Sequence, residues 1–175
     1  MIGKKIILVG YMGTGKSIIA DLLSKMYHVP LLDLDKMIEE KEKMSIPTLF
    51  EKKGELYFRK IEHLIFKEII THKTSFVLST GGGTPCYSNN HIFMKELDVI
   101  SIYLKTSIDE LYNRLSENKE QRPLLRLKTA DELKEFIAKH LFERSYYYNQ
   151  AKHIVNTDGK TPDMVVAEIA KIYSL

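Results

Sequence analysis

The sequence contains no tryptophan, a single cysteine and only five prolines in 175 residues. Because one cysteine cannot form an intramolecular disulfide, an apolar core must stabilise the fold, and a reducing compartment suits this composition. No apolar run reaches the roughly 20 residues that a membrane-spanning helix needs, which argues against a membrane protein. Residues 1–5 show no signal-peptide pattern, so we expect a cytoplasmic protein.

An excess of charge of one sign is also missing, since the formal net charge is only +3. The lysines are scattered and form no basic stripe, so nucleic acid is not an expected partner. The six histidines show no metal-ligand spacing and have no cysteine partner, so zinc is not expected either. Apolar residues make up 44% and charged residues 28% of the chain, a balance typical of one ordinary globular domain of this length.

A phosphate-loop motif dominates what the sequence does contain. Residues 10–17 read G-Y-M-G-T-G-K-S, between the apolar run 6–9 and the amphipathic segment 18–23. This strand, glycine loop and helix are the context in which G-x-x-x-x-G-K-[ST] binds a polyphosphate, because loop and helix N–H groups point at the anion. Lys16 would reach the outer phosphates and the Ser17 hydroxyl would bind Mg²⁺. A plain glycine-rich turn is the weaker interpretation, since motif and flanks agree.

Two acidic residues follow the second apolar run of the chain. Residues 29–35 read V-P-L-L-D-L-D, which predicts a buried strand that ends in Asp33 and Asp35. Side chains two apart on a strand share a face, and ligands of α/β proteins bind at the carboxyl ends of strands. These carboxylates are therefore candidate site residues. The alternative is that one of them only caps the next helix.

The segment 36–72 is predicted to be mostly helical, with breaks at residues 45–47 and at Gly54. On this helix Arg59 and Glu62 are three residues apart and can form an ion pair that holds the guanidinium for an incoming anion. A solvated surface ion pair is the alternative, and without further context it is the more common case.

Three consecutive glycines, Gly81 to Gly83, follow a β-rich run at residues 75–79. They could form a flexible linker, but a linker seldom follows a buried strand directly. Close approach of backbone to a ligand is the better explanation. Cys86 comes just after them, and we expect it to be a small, partly buried filler.

The second half of the chain continues the alternation of strands and helices. Residues 99–104 and 153–156 predict strands, residues 130–151 predict a long helix, and Thr161-Pro162 opens the last one. The polar stretch 116–123 predicts a mobile loop that carries Arg122. Strands separated by helices at roughly 25 residues or more predict βαβ units, hence an α/β fold with a mostly parallel sheet and helices on both faces.

Taken together, these motifs resemble those of the shikimate kinase family across nearly the whole chain. The phosphate loop is similar to that family's G-[FY]-M-G-x-G-K-[ST]. The other matches follow in family order: D-L-D at residues 33–35, G-E-x-x-F-R at 54–59, G-G-G at 81–83, R-P-L-L at 122–125 and E-R at 143–144. One such motif would be weak evidence, whereas the ordered set is specific.

The resemblance implies a fold like that of nucleoside-monophosphate kinases, with a five-stranded parallel sheet flanked by helices in three layers. It implies one kinase domain over residues 1–175, with a substrate-binding region near 33–61 and a mobile lid near 114–128. The implied reaction transfers the γ-phosphoryl group of ATP to the 3-hydroxyl group of shikimate, with Mg²⁺, on the pathway to chorismate and aromatic amino acids. We expect a monomer that binds shikimate and ATP.

The resemblance also implies site residues, carried over position by position. The implied catalytic residues are Lys16, Asp35 and Arg122. The implied ATP-binding residues are Gly13, Thr14, Gly15, Lys16, Ser17, Ile18, Arg114, Arg122 and Pro162. The implied shikimate-binding residues are Asp35, Phe50, Phe58, Arg59, Gly81, Gly82, Gly83 and Arg144, and the implied metal-site residues are Ser17 and Asp33.

Within that set, Asp35 resembles the residue that binds the ring hydroxyls and serves as the base, while Arg59 and Arg144 resemble the pair that holds the shikimate carboxylate. Arg122 matches the lid arginine that reaches the transferring phosphoryl group. Such chemistry suits the residue types, because a carboxylate is bound best by bidentate cations and a hydroxyl by an acceptor. Arg114 and Pro162 are the candidates for stacking on adenine.

Three departures from the family pattern accompany the matches. Ile18 stands where many members have threonine or serine, and no aspartate ends the run 77–79, so Asp33 must support the metal. The third departure concerns the residues that would contact adenine, because their match depends on a loop near 116–121 whose length varies. Another small-metabolite kinase, for gluconate or a nucleoside monophosphate, is one alternative, but the triple glycine and G-E-x-x-F-R argue against it. A nucleotide-dependent switch is another, but residues 118–121 lack the aspartate of N-K-x-D.

Overall fold

The computed structural model describes residues 4–117 and 129–173 of the chain. Its strands are β1 Lys5–Val9, β2 Leu31–Asp33, β3 Phe76–Ser79, β4 Val99–Lys105 and β5 His153–Asn156. Its α-helices are α1 Lys16–Tyr27, α2 Leu34–Glu42, α3 Ile46–Thr71, α4 Asn90–Phe93, α5 Ile108–Glu117, α6 Ala130–Tyr148 and α7 Pro162–Tyr173. The described strands form one parallel sheet in the order β2-β3-β1-β4-β5, which confirms the predicted fold class.

The sheet is covered on both faces, which is why its central strands read as continuous apolar runs. Because side chains alternate along a strand, β1 contributes to two cores. Ile6 and Leu8 pack against α1 and α7, whereas Ile7 and Val9 face the larger cluster formed with α3 and α6. The result is three layers, helix, sheet and helix, as predicted.

Local signals set the helix ends. Ser45 caps α3 by accepting a hydrogen bond from the Thr48 amide, and Gly54 interrupts this helix with φ 78° and ψ 170°. Thr129 and Glu132 form a capping box at the start of α6. The breaks predicted near residues 45–47 and at Gly54 are confirmed.

The region of the two acidic residues differs from the prediction. β2 ends at Asp33, and α2 begins at Leu34, so Asp35 lies in the first turn of a helix and the shared strand face is wrong. Asp33 caps α2, since its Oδ1 accepts from the Lys36 amide at 3.2 Å. The cap gives a partner to one of the N–H groups in the first turn of α2, which have none within the helix. Leu34, fully buried, anchors this turn.

Two short elements between β3 and β4 were missed. Residues Thr84–Cys86 form a 3₁₀ turn and α4 is only one turn long, which leaves no periodic pattern in the sequence. The long helix predicted over 130–151 ends at Tyr148. Among the described helices, none combines the length and apolar character that crossing a membrane requires.

The strand order determines where a ligand can bind. The chain leaves β1 through α1 toward β2 on one side, and leaves β4 through α5 and α6 toward β5 on the other. The loops at the carboxyl ends of β1 and β4 therefore diverge, and a crevice opens between them. The phosphate-loop motif lies at the start of this crevice.

Candidate active site

A cavity of about 700 Å³ opens at the carboxyl ends of the strands. Every predicted ATP-site and metal-site residue that the structure describes lies on its wall: Gly13, Thr14, Gly15, Lys16, Ser17, Ile18, Asp33, Arg114 and Pro162. The wall also contains Asp35, Gly81 and Gly82 from the predicted acceptor site. Five other predicted acceptor residues are not on the wall. Gly83 follows Gly82 in the chain, Arg59 and Arg144 lie against this glycine segment, Phe58 packs against Arg59, and Phe50 packs against Phe58. Arg122 lies outside the described residues.

The phosphate loop holds its lysine against its own backbone. Lys16 Nζ donates hydrogen bonds to the carbonyl oxygens of Gly10 and Tyr11 at 2.8 and 2.9 Å. Gly13 has φ +84°, a conformation that an L side chain rarely adopts, and it allows the loop to turn toward the helix. The ammonium group is thus held over the loop that leads into α1, and the free amides at the start of a helix favour phosphate.

Two oxygen ligands suited to Mg²⁺ line the same wall. Ser17 is exposed in the first turn of α1, and Asp33 uses Oδ1 to cap α2, which leaves Oδ2 available. In the described part of the chain no three His, Cys, Asp or Glu side chains form a metal cluster. Mg²⁺ commonly keeps several waters and binds one or two protein oxygens together with substrate phosphates, so this donor set fits the ion.

Asp35 is the most perturbed carboxylate on the cavity wall. Its surface opens to the cavity, yet desolvation by the surrounding protein, and then the carboxylates of Asp33 and Glu62, raise its pKa from 3.8 to about 6. The Lys16 ammonium partly offsets this effect. A carboxylate with this pKa is ionised at neutral pH and basic enough to accept a proton from a hydroxyl group.

Arg59 is held in place by several side chains. Its Nη1 donates to Glu62 Oε2 at 2.8 Å and its Nε donates to Glu55 Oε1 at 3.4 Å. Glu62 is fully buried, and its Oε1 accepts from the Thr84 hydroxyl at 2.7 Å. The predicted pair of Arg59 and Glu62 is thus confirmed, and the solvated surface alternative is wrong.

The triple glycine is packed against these groups. A Cβ atom on Gly81 would lie 3.0 Å from Asp35 Oδ1, and one on Gly83 would lie 2.7 Å from Arg59 Nη2. A Cβ on Gly82 would contact Arg144 Nη1 at 3.6 Å. The absence of side chains therefore lets three functional groups approach the backbone, and the flexible-linker alternative is wrong.

Aromatic residues form the apolar side of this region. The rings of Phe50 and Phe58 lie 4.6 Å apart, and Phe58 is almost fully buried beneath Arg59. Tyr148 stacks on Tyr103 with centroids 5.1 Å apart, and its hydroxyl donates to the Gly82 carbonyl at 2.5 Å. Tyr148 is fully buried and packs as part of the core.

Arg114 and Pro162 lie at the opposite end of the cavity. Arg114 Nη1 donates to the Gly13 carbonyl at 3.4 Å and Nη2 donates to the Thr157 carbonyl at 3.3 Å. Sequence reasoning missed Thr157 and Lys160 on this wall. The signal was available, because both follow β5, and the carboxyl ends of parallel strands share one edge.

Comparison with known proteins identifies relatives of this chain along nearly its whole length. The family model described as shikimate kinase matches residues 12–174. The chain is 52% identical over 169 residues to a shikimate kinase of Flavobacterium johnsoniae, with 97% of this chain and 98% of the relative covered. A shikimate kinase of Flavobacterium psychrophilum is 53% identical, with the same coverage.

Solved structures give the same result. A crystal structure of shikimate kinase from Bacteroides thetaiotaomicron matches with a TM-score of 0.89 and 35% identity, covering 98% of this chain and 99% of the other. Shikimate kinase from Acinetobacter baumannii, determined in complex with shikimate, matches with a TM-score of 0.86 and 30% identity over 98% of this chain and 93% of the other. Sequence and fold agree, and the chain belongs to the shikimate kinase family.

Proposed function

We propose that this protein transfers the γ-phosphoryl group of ATP to the 3-hydroxyl group of shikimate, producing 3-phosphoshikimate and ADP. One observation carries the proposal: a phosphate loop and a raised-pKa carboxylate, Asp35, line one cavity, and Arg59 and Arg144 lie beside the triple-glycine segment that reaches its wall. Shikimate has a carboxylate and hydroxyl groups, and this arrangement offers partners for both. The A. baumannii relative in complex with shikimate supports the choice of acceptor.

The phosphate half of the site is proposed to bind ATP. Residues 13–18 wrap the phosphates with backbone amides, and Lys16 neutralises charge on the outer phosphates. Arg114 and Pro162 are proposed to contact the adenine from the two sides of the far end of the cavity. Arg122 is proposed to reach the transferring phosphoryl group.

Mg²⁺ is proposed to be held by Ser17, with Asp33 beside it. When bound, the ion screens the negative charge of the phosphates. The protein's part is to supply the hydroxyl oxygen at the start of α1 and a carboxylate whose other oxygen is committed to the helix cap. Removal of divalent ions with a chelator is expected to abolish turnover and to leave the fold intact, as measured by circular dichroism.

The acceptor half is proposed to orient shikimate. Arg59 and Arg144 bind the carboxylate, Phe50 and Phe58 form the apolar wall, and the backbone N–H groups of Gly81 to Gly83 face the substrate. Asp35 accepts the proton of the 3-hydroxyl group as that oxygen forms a bond to the γ-phosphorus. The bond from the γ-phosphorus to the bridging oxygen breaks, and ADP leaves.

The remaining expectations belong to the same proposal. Residues 1–175 are treated as a single kinase domain, with an acceptor region near 33–61 and a lid near 114–128. A monomer in the cytoplasm fits a chain with one cysteine, Cys86. Burial raises the pKa of this thiol to about 11, so it stays protonated and is not a nucleophile at neutral pH.

The test measures ADP release from purified protein with ATP and Mg²⁺, with shikimate and without it. Gluconate and a nucleoside monophosphate serve as control acceptors. Release that depends on shikimate alone is the expected result. Release with another acceptor, or ATP binding with no phosphorylated product, would contradict the proposal while leaving the fold unchanged.

A further inference from the structure

The segment that follows the triple glycine, residues 84–90, is held from both sides. Asn90 is fully buried, and its Nδ2 donates to the Thr84 carbonyl at 2.9 Å, while its Oδ1 lies 2.7 Å from His63 Nδ1. The Asn90 amide also donates to the Tyr87 carbonyl at 2.9 Å. One buried side chain therefore closes the segment on itself and ties it to α3.

The middle of this segment has an unusual backbone. Ser88 and Asn89 both have positive φ, 49° and 58°, although neither is glycine. Such conformations are disfavoured for L residues and persist where surrounding contacts impose them. Their effect is to turn the chain sharply between Tyr87, which is partly exposed, and the buried Asn90.

Beside this turn, the ring of Tyr87 lies against Arg59. The guanidinium carbon lies 4.1 Å from the centroid of the Tyr87 ring and 4.9 Å from that of Phe58. The Tyr87 hydroxyl donates to Glu55 Oε1 at 3.1 Å, the same oxygen that accepts from Arg59 Nε. Burial raises the pKa of the Tyr87 phenol, so the hydroxyl stays a donor.

These contacts leave Arg59 with one edge for a ligand. Nη1 pairs with Glu62, Nε pairs with Glu55, and aromatic rings lie near the guanidinium. Among the described residues no acceptor bonds to Nη2, which a Cβ atom on Gly83 would approach to 2.7 Å. The orientation of this edge therefore depends on the groups that hold the rest of the guanidinium.

We propose that Tyr87 is a positioning residue for acceptor binding: its ring holds Arg59 so that the Nη2 edge faces the acceptor end of the cavity. The inference rests on the proposed function, because it assigns Tyr87 a part in binding the carboxylate of shikimate. Tyr87 touches no reacting atom. Its role is to hold the Arg59 side chain in place before the substrate binds, so that less conformational entropy is lost on binding. Its loss should raise KM for shikimate and leave kcat almost unchanged.

The first experiment compares Tyr87→Leu with Tyr87→Phe. Leucine removes the aromatic face, and we expect KM for shikimate to rise about fivefold, with kcat and KM for ATP within about twofold of the starting protein. Phenylalanine keeps the aromatic face, so Tyr87→Phe should have a KM for shikimate within about twofold of that of the starting protein. Tyr146→Leu, at an exposed tyrosine of α6, is the matched control and should change none of these constants.

The second experiment tests whether Tyr87 acts through Arg59. In an Arg59→Lys background, Tyr87→Leu should have less than about a twofold further effect on KM for shikimate, because effects on one interaction are not additive. A full fivefold effect in that background would overturn the inference. So would an unchanged KM in Tyr87→Leu, or an equal rise in KM for ATP.

The activity of the starting protein distinguishes failure of the proposed function from failure of the positioning role of Tyr87. If the starting protein releases no ADP with shikimate, the proposed function fails. If it is active and the Tyr87 variants behave like Tyr146→Leu, only the positioning role fails. Thermal unfolding of each variant confirms that the compared proteins are folded.

Discussion

Gly13 and Gly83 lie in two neighbouring loops at the carboxyl edge of the sheet, and each excludes a side chain for a different reason. Gly13 has φ +84°, so an alanine there would strain the backbone, and its Cβ would press on Leu115 at 3.1 Å. Gly83 has φ −95°, which any residue adopts, but its Cβ would lie 2.7 Å from the guanidinium of Arg59. The first glycine is needed for conformation and the second for space.

The two halves of the site differ in the same way. The phosphate half is contiguous, residues 10–17, and is proposed to bind phosphate mainly through backbone N–H groups and one lysine. The acceptor half is assembled from side chains on α2, α3 and α6 around the backbone of Gly81 to Gly83. A backbone site depends on local conformation, whereas a side-chain site depends on packing between distant segments. Mutations should therefore separate ATP binding from acceptor binding.

The largest effect is expected at the phosphate half. Lys16→Ala removes the ammonium group that neutralises transferring charge, and kcat should fall about 10³-fold or more. A coupled assay for ADP gives the rate, and circular dichroism checks the fold, because Lys16 also bonds to the carbonyls of Gly10 and Tyr11. Activity within tenfold of the starting protein would exclude the phosphate-loop mechanism.

Arg59→Ala should affect the acceptor half by a smaller amount. Loss of a charge-assisted contact should weaken shikimate binding by about 2–3 kcal/mol, while ATP binding is nearly unchanged. The free energy of unfolding should also fall, because Glu62 would stay fully buried with the Thr84 hydroxyl as its remaining hydrogen-bond partner among the described residues. Isothermal titration calorimetry measures both affinities.

An exposed ion pair, Lys25 with Asp21, supplies the control for Arg59→Ala. Lys25→Ala removes an exposed i, i+4 pair with Asp21 and should change neither affinity nor stability appreciably. Unchanged shikimate affinity in folded Arg59→Ala would remove Arg59 from the binding site.

The two glycines give the sharpest version of the comparison. Gly83→Ala should displace Arg59 and raise KM for shikimate by about tenfold, with little effect on KM for ATP. Gly13→Ala should lower stability by about 1–2 kcal/mol through its strained φ and raise KM for ATP. Steady-state kinetics with each substrate varied in turn measures the split. An identical pattern in both variants would mean that the halves are not separable.

The smallest effects concern pH. Since the pKa of Asp35 is about 6, kcat/KM should fall as the pH decreases below 6, because the base becomes protonated. A rate profile between pH 5 and 8 checks this prediction, with the buffer ions held constant. A flat profile down to pH 5 would argue against Asp35 as the base.

The raised pKa of Asp35 also makes the stability of the folded protein depend on pH. The folded-state pKa of Asp35 is raised above its ordinary value of 3.8, so the folded protein binds the proton first as the pH falls. The contribution of Asp35 to stability is therefore least favourable above pH 6 and improves between pH 6 and 4. Asp35→Asn should lose activity yet raise the melting temperature at pH 7 by about 2–4 °C, as calorimetry can measure. A lower melting temperature would contradict this sign.

The parts of the fold that could be predicted from sequence are those with local signals. The loop at residues 10–17 and the breaks at 45–47 and Gly54 were predicted because glycine, proline and capping residues act on their immediate neighbours. The strands were predicted because a buried parallel strand reads as an apolar run. Asp35 was placed wrongly on β2, because a three-residue strand leaves no room for a clear alternation.

The parts that could not be predicted depend on contacts between segments. Thr84 and Glu62 are 22 residues apart, and nothing in either neighbourhood indicates their hydrogen bond. The contact of Tyr87 with Arg59 also joins separate segments, and the preference for positive φ at the neighbouring Ser88 and Asn89 is too weak to predict from sequence. The acceptor half is therefore visible in sequence through its glycines and charges, but its geometry is not.

We propose that the acceptor is held by its carboxylate so that one hydroxyl group faces the phosphate loop. Phosphorus and proton NMR of the product formed from ATP, Mg²⁺ and shikimate tests this claim most directly. The account predicts one new phosphomonoester, coupled to the ring proton at carbon 3. A mixture of phosphorylated hydroxyl groups, a different site, or no phosphorylated shikimate would contradict it.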